Sequence, residues 1–308
     1  MKRILVTGYT GFVGTNLTDY LIQHDFEVVG VGRNKPAGFH FKQYNYDELA
    51  PIKDYDAMIH LAGKAHDMKN TADATAYLEA NTQLTKRVFD AFVLSKATDF
   101  IYLSSVKAAA DTVDGILVET CIPDPATHYG ISKLKAETYL LSKELPAGKR
   151  LFILRPCLIH GPGNKGNLYL LYRLVKKGIP YPLAAFKNKR SLLSMQNLLF
   201  IIQSLLNNGA IKGGVYHIAD DEPLVTTQIV DIMAETMQVK LHKWHINQAF
   251  VNALAVVGDK LRLPFNTLRL KKLTENYIVS NDKIKKAVGI NAMPVAAREG
   301  LINTMLNL

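Results

Sequence analysis

The sequence has little of what marks several common protein classes. Its 308 residues include two cysteines and one tryptophan, and no apolar run approaches the roughly 20 residues of a membrane span. Cys121 and Cys157 form no CxxC pair and lie among apolar and proline neighbours. That reads as a reduced, cytoplasmic protein whose two thiols sit in or near the core. No metal site is indicated. Met1-Lys2-Arg3 is followed by only a short apolar run before a glycine, which is too short for a signal peptide. Repeats, low-complexity stretches and any sign of disorder are also missing.

What is present is basic and large enough for a substantial core. The formal net charge is +10 and the pI about 9.4, which suits an anionic partner such as a nucleotide, a nucleic acid or an acidic membrane surface. There is no long basic block and no interleaving of aromatic with basic residues, so nucleic acid is not expected. At about 150 residues per domain, the length fits one large domain or one and a half.

The opening stretch organises the rest. Lys2 to Gly14 reads KRILVTGYTGFVG: a short apolar strand, three glycines, then an amphipathic segment with Phe12, Val13, Leu17, Tyr20 and Leu21 on one face. In a dinucleotide-binding turn, Gly8 permits the tight bend, Gly11 lets the backbone approach a pyrophosphate, and Gly14 lets helix pack on strand. Strand patterns follow at 27–31, 39–44, 56–61, 99–103 and 150–154, with helices at 74–95 and 126–144. This alternation calls for a parallel sheet covered on both faces. After Pro156 the pattern becomes irregular, with helices expected at 168–177, 225–237 and 248–257 and one more strand at 215–219. The fold class expected is α/β, a Rossmann-like doubly wound parallel sheet with a smaller C-terminal substrate-binding domain. The expected division is 1–160, with 189–219 returning to it, against 161–188 and 220–308.

Several side chains carry candidate chemistry. The second strand ends in Gly32-Arg33-Asn34, without the carboxylate that holds the ribose 2′-hydroxyl of NAD. Arg33 can hold the 2′-phosphate of NADP by charge-assisted hydrogen bonds. The fifth strand runs into Ser104-Ser105, and Tyr129 and Lys133 follow at i and i+4, on one helix face. A tyrosine needs a neighbouring cation to lower its pKa from about 10 before it exchanges protons usefully near neutrality; Lys133 is placed to supply it. Tyr139 with Lys143 and Tyr172 with Lys176 match the same spacing and are read as surface pairs, because they lack the position after a Ser-Ser strand end. Asn81 lies on the apolar face of its helix and, being buried, needs partners. His60 is read as core, and His66 as a substrate contact.

With these motifs in hand, the chain resembles the extended short-chain dehydrogenase/reductases, in the UDP-galactose 4-epimerase-like branch of nucleotide-sugar enzymes. The resemblance rests on Thr7 to Gly14, His60-Leu61-Ala62-Gly63, Asn81, Ser104-Ser105, Tyr129-Gly130-Ile131-Ser132-Lys133, and Leu154-Arg155-Pro156 with Gly161-Pro162-Gly163. It implies that Ser105 and Tyr129 are catalytic and that Lys133 also binds the nicotinamide ribose. It implies cofactor contacts at Gly8, Thr10, Gly11, Phe12, Val13, Gly14, Arg33, Leu61, Ala62, Gly63, Asn81 and Pro156. Asn167, Leu168 and Arg190 resemble the segments that hold the nucleotide diphosphate, and the helices carrying Asn81 and Tyr129 are the family's usual homodimer surface.

Departures from the family pattern narrow the reaction. The family's 4,6-dehydratases carry Asp-Glu directly after the catalytic Thr, where this chain has Val106-Lys107; dehydration is not expected. Ala109-Ala110 replace a common Tyr-Gly at the pocket wall. The segments SSVK, HLAGKAH, RPCLIHGPG, NKGNLY and NKRSL most resemble bacterial surface-polysaccharide reductases that convert a UDP-4-keto-6-deoxy-hexosamine to the 4-hydroxy sugar with NADPH. The alternatives are an NAD-dependent UDP-hexosamine 4-epimerase and a non-catalytic NADP-sensing protein on the same fold.

Overall fold

The computed structural model describes residues 1–64, 73–164, 166–261, 263 and 265–308, without the side chains of Asn167 and Lys272. Its centre is a sheet of seven strands: β1 Arg3–Thr7, β2 Glu27–Gly32, β3 Lys42–Asn45, β4 Ala57–His60, β5 Asp99–Leu103, β7 Arg150–Pro156 and β11 Gly214–Ile218. The spatial order is β11-β7-β5-β4-β1-β2-β3 and every pairing is parallel. All carboxyl ends therefore open on one edge. Three two-stranded ladders lie outside the sheet: β6 Ile116–Leu117 with β13 Ile278–Val279, β8 Leu158–His160 with β10 Leu192–Ser194, and β9 Lys189–Arg190 with β12 Leu224–Val225.

The central strands are apolar throughout because helices cover both faces, and successive side chains feed opposite cores. Ile4 and Val6 join Leu17 and Leu21 of α1 (Phe12–Gln23) and the apolar residues of α6 (Met195–Asn207). Leu5, between them, joins Val88, Phe89 and Phe92 of α3 (Leu84–Val93) and Ala136 and Leu140 of α4 (His128–Leu141). A third core binds α5 (Asn167–Lys176), α7 (Thr226–Thr236) and α11 (Ala297–Leu306) through Leu168, Met233 and Leu301. Beyond it, α8 (Gln248–Lys260) and α9 (Thr267–Thr274) sit on a satellite core. The segment around α10 (Asp282–Val288) packs on β11 and α6 and contributes Ile284 to the main core. The chain thus crosses back to the large layer once more than the expected 220–308 division provides for.

Other departures have local causes. The 74–95 helix is broken into α2 (Ala74–Tyr77), a wider π-helical stretch Leu78–Gln83, and α3; that stretch carries Asn81, and π-bulges of this kind commonly mark functional positions. The third strand starts at Lys42 because Phe39 and Phe41 turn away to pack on the Tyr9 ring, at centroid distances of 5.0 and 5.5 Å. Cys121 is exposed, not core, since it lies in a turn after β6; Cys157 is buried as expected. Tyr172 is no surface residue: it packs in the third core, with only its partner Lys176 exposed. The helix α6 carries no alternation to read, because eight of its residues are buried.

Candidate active site

The first turn is built to let backbone approach backbone. Gly8 leaves β1 at φ +72°, and a Cβ there would stand 2.6 Å from the Ala62 amide nitrogen; one on Gly14 would stand 2.2 Å from the Gly8 carbonyl oxygen. Neither contact can relax, since both partners are main chain. Gly11 caps α1 with no side-chain hydrogen bond, and no acidic residue lies in the first turn. The amides and positive dipole end of α1 therefore remain available to an anion. Thr10 and Gly11 are exposed on this rim and Phe12 and Val13 are half-buried.

At the end of β2, Gly32 is buried against Tyr9 while Arg33 is exposed. Tyr9 was not singled out by sequence. Its hydroxyl lies 2.7 Å from Gln43 Oε1 and 3.0 Å from the Asn34 carbonyl oxygen, which pins the turn that carries Arg33. Wholly buried, the ring also fills the space beside Gly30 and Gly32. No carboxylate stands within Gly32-Arg33-Asn34.

The end of β4 meets the catalytic candidates. Asn81 is fully buried and completely used: Oδ1 accepts from the Lys64 amide at 2.7 Å, and Nδ2 donates to the Lys64 carbonyl at 3.0 Å and the Ser132 hydroxyl at 2.9 Å. It ties the Leu61-Ala62-Gly63 turn to α4. A Cβ on Gly63 would lie 2.7 Å from Asn81 Oδ1 and 3.3 Å from Lys133 Nζ, so only glycine leaves room there. His60 is core, as read: its ring bridges Thr7 Oγ1 at 2.6 Å and Thr85 Oγ1 at 2.9 Å, and burial, with the Lys133 charge, lowers its pKa to about 3. Pro156 is buried at the end of β7.

Ser105 follows the end of β5, and Tyr129 and Lys133 stand one turn apart on α4, from which Lys133 reaches that strand end. Ser105 caps a short 3₁₀ turn, accepting from the Lys107 amide at 3.2 Å. Thr127 caps α4, receiving the Gly130 amide at 3.2 Å, which starts the helix one residue before Tyr129. Burial pushes the Tyr129 phenol up, and a hydrogen bond from the Ser105 hydroxyl pulls it back. Lys133 Nζ donates to the Leu103 carbonyl at 2.9 Å and stands 4.8 Å from the Tyr102 ring centre. The lowering of the tyrosine by Lys133 expected from spacing is thus not what this arrangement does: the phenol is raised, because desolvation dominates. Burial lowers Lys133 itself to about 8, while Glu137 one turn on pulls it back up. Glu137 is the residue that sequence reasoning passed over, although it continues the 129, 133 face at i+4. It takes a bidentate pair from Arg155, with Nε 3.0 Å from Oε1 and Nη2 2.5 Å from Oε2, and accepts from the Ser104 hydroxyl.

After Ser105, Val106 is buried in the main core, and the Lys107 ammonium donates to the Asp111 carbonyl at 2.7 Å over the Tyr277 ring; neither is an acid. Of the residues expected to meet substrate, His66 lies outside the described residues. Asn167 opens α5, and Leu168 turns its side chain into the third core. Arg190, in β9, is half-buried, and desolvation lowers its pKa, opposed by Glu275. The glycine cradle, the uncapped helix end and the Gly63 turn next to Lys133 together fit a nicotinamide dinucleotide.

Fold and site define an extended short-chain dehydrogenase/reductase. More specifically, residues 4–219 match the NAD dependent epimerase/dehydratase family, and the chain belongs to that family as an NAD(P)-dependent enzyme. It is 34% identical over 249 residues to UDP-glucose 4-epimerase of Vibrio cholerae, covering 76% of this chain and 75% of that one. It is 27% identical over 258 residues to GDP-6-deoxy-D-mannose reductase of Pseudomonas aeruginosa, covering 78% and 82%. Among solved structures, MoeE5 in complex with UDP-glucose and NAD superposes with a TM-score of 0.78 over 99% of this chain and 97% of that one, at 19% identity.

Proposed function

We propose that the enzyme reduces the C4 ketone of a UDP-linked 4-keto-6-deoxy-hexosamine in bacterial polysaccharide precursor synthesis, with NADPH as reductant. The observation that carries the reading is Lys133 Nζ held 2.9 Å from the Leu103 carbonyl, one turn after Tyr129 on α4 and at the edge where all strands end, with Ser105 just past β5 and with Arg33 and no carboxylate after β2. When bound, the dinucleotide supplies the hydride. Tyr129 gives its proton to the oxygen that becomes the C4 hydroxyl, and Ser105 hydrogen-bonds the same oxygen. Lys133, protonated below about pH 8, holds the ribose from beside Gly63. Asn81 keeps that turn at its distance, and Val106-Lys107 offer no acid for a dehydration.

A second reading, a UDP-hexosamine 4-epimerase that retains NAD, is favoured by the similarity to the Vibrio cholerae enzyme. The test is nucleotide extraction from the purified protein, then titration of the apo form with NADPH and NADH. The reductase reading expects an empty site that prefers NADPH, with NADPH consumed when a UDP-4-keto-6-deoxy sugar is added. Tightly held NAD, with UDP-GlcNAc interconverted without any added reductant, would replace it by the epimerase. Binding of neither dinucleotide would overturn both.

A further inference from the structure

The α8–α9 pair spends most of its apolar surface on solvent. Its buried stripe, Val251, Ala255 and Gly258, runs at i, i+4 and i+7. With Leu183 and Leu270 it makes, among the described residues, a satellite core of four buried side chains besides the glycine. A second stripe of the same spacing, Phe250, Leu254, Val257 and Leu261, lies one residue round the helix and is 58%, 47%, 47% and 64% exposed. Phe265 and Leu268 extend it toward α9, at 37% and 62% exposed. Single exposed leucines are ordinary, but a row of them along one helix marks a contact surface.

Charge selects what covers it. Residues 240–274 hold seven Lys or Arg and one carboxylate, Asp259, so this segment supplies six of the ten net positive charges. Lys240, Lys260, Arg269 and Lys271 are exposed. A second copy of the chain would bring the same positive charge to the same face; an anionic bilayer neutralises it while receiving the apolar stripe. No helix among the described residues is long and apolar enough to cross a membrane. We infer that the α8–α9 face docks in the plane of an anionic phospholipid surface, with the Phe250–Leu261 stripe at the acyl boundary and the basic side chains among the headgroups.

Co-sedimentation of the full chain with vesicles of phosphatidylglycerol, or of phosphatidylcholine alone, tests this. Binding is expected to phosphatidylglycerol, weaker in high salt, and at least ~10-fold weaker to phosphatidylcholine. Phe250→Ser/Leu254→Ser and, separately, Lys260→Gln/Arg269→Gln/Lys271→Gln should each lose about tenfold or more, with unchanged circular dichroism and melting. Should the first double variant misfold, Leu261→Ser, beyond the end of the buried stripe, gives the same readout. Equal affinity for both vesicles, or binding that survives both sets of changes, would overturn the inference. So would self-association abolished by Phe250→Ser/Leu254→Ser without vesicle binding, which would assign the face to a second copy.

Discussion

Replacing Glu137 by Gln keeps the side-chain volume and removes one buried charge. Arg155 is 4% exposed and Glu137 1%, so the guanidinium left behind has no water to replace its bidentate carboxylate. Breaking one side of a buried pair costs about 3–5 kcal/mol, a large part of the 5–15 kcal/mol that typically holds a protein folded. At roughly 2–4 °C per kcal/mol for a chain this long, the melting temperature should fall by about 10 °C. The same change removes the charge that holds Lys133 up against desolvation, so the lysine should lose its proton below pH 8 and any activity that needs the ammonium should shift its alkaline limb to lower pH. The assays are thermal unfolding at neutral pH and a pH–rate profile. Glu137→Gln/Arg155→Met should recover part of the stability, because no buried charge is then left without a partner. A double variant as unstable as the sum of the two single ones, together with an unmoved alkaline limb, would refute the reasoning.

Changing Tyr129 to Phe should leave dinucleotide titration nearly intact and cut turnover by about 10² or more; full activity would remove the tyrosine from the proton-donor role. Gly14→Ala should fail to fold or fail to bind dinucleotide, since its methyl would stand 2.2 Å from the Gly8 carbonyl; a soluble variant with wild-type affinity would contradict the packing. Because Lys133 has a folded-state pKa of about 8 against an ordinary 10.5, the unfolded chain binds more protons between those values. Stability from this residue should therefore rise with pH across that window, by roughly 3 kcal/mol. Denaturant titrations at pH 7.5 and pH 10, compared between wild type and Lys133→Met, isolate that contribution from the rest of the chain. Arg33→Ser should weaken NADPH by about tenfold and leave NADH unchanged, measured by fluorescence titration.

Much of the large layer was legible because local chemistry and fold agree there. The run Ile4-Leu5-Val6 is apolar on both faces, and the glycines sit where a methyl group would strike main chain. Asn81 could be placed as a buried amide from its helical stripe, and His60 as core. The rest was less legible: α6 and α10 join the main core of the large layer through contacts distant in sequence, and the irregular last third hides α9 and α11. Tyr172 matched a catalytic spacing and looked like surface, yet it is buried between α5 and its neighbours.

Sequence alone determined the parallel sheet, the glycine turn and the candidates Ser105, Tyr129 and Lys133, since each depends on short-range spacing: alternation along a strand, one helical turn between side chains, glycine where φ is positive. Tertiary structure decided what those groups feel. Whether Lys133 lowers Tyr129 or is itself lowered, and whether Glu137 finds Arg155, depend on which strand end lies against α4 and how much water is left there. Desolvation and the pairing of buried charges are properties of a packed volume, and no spacing along the chain specifies them.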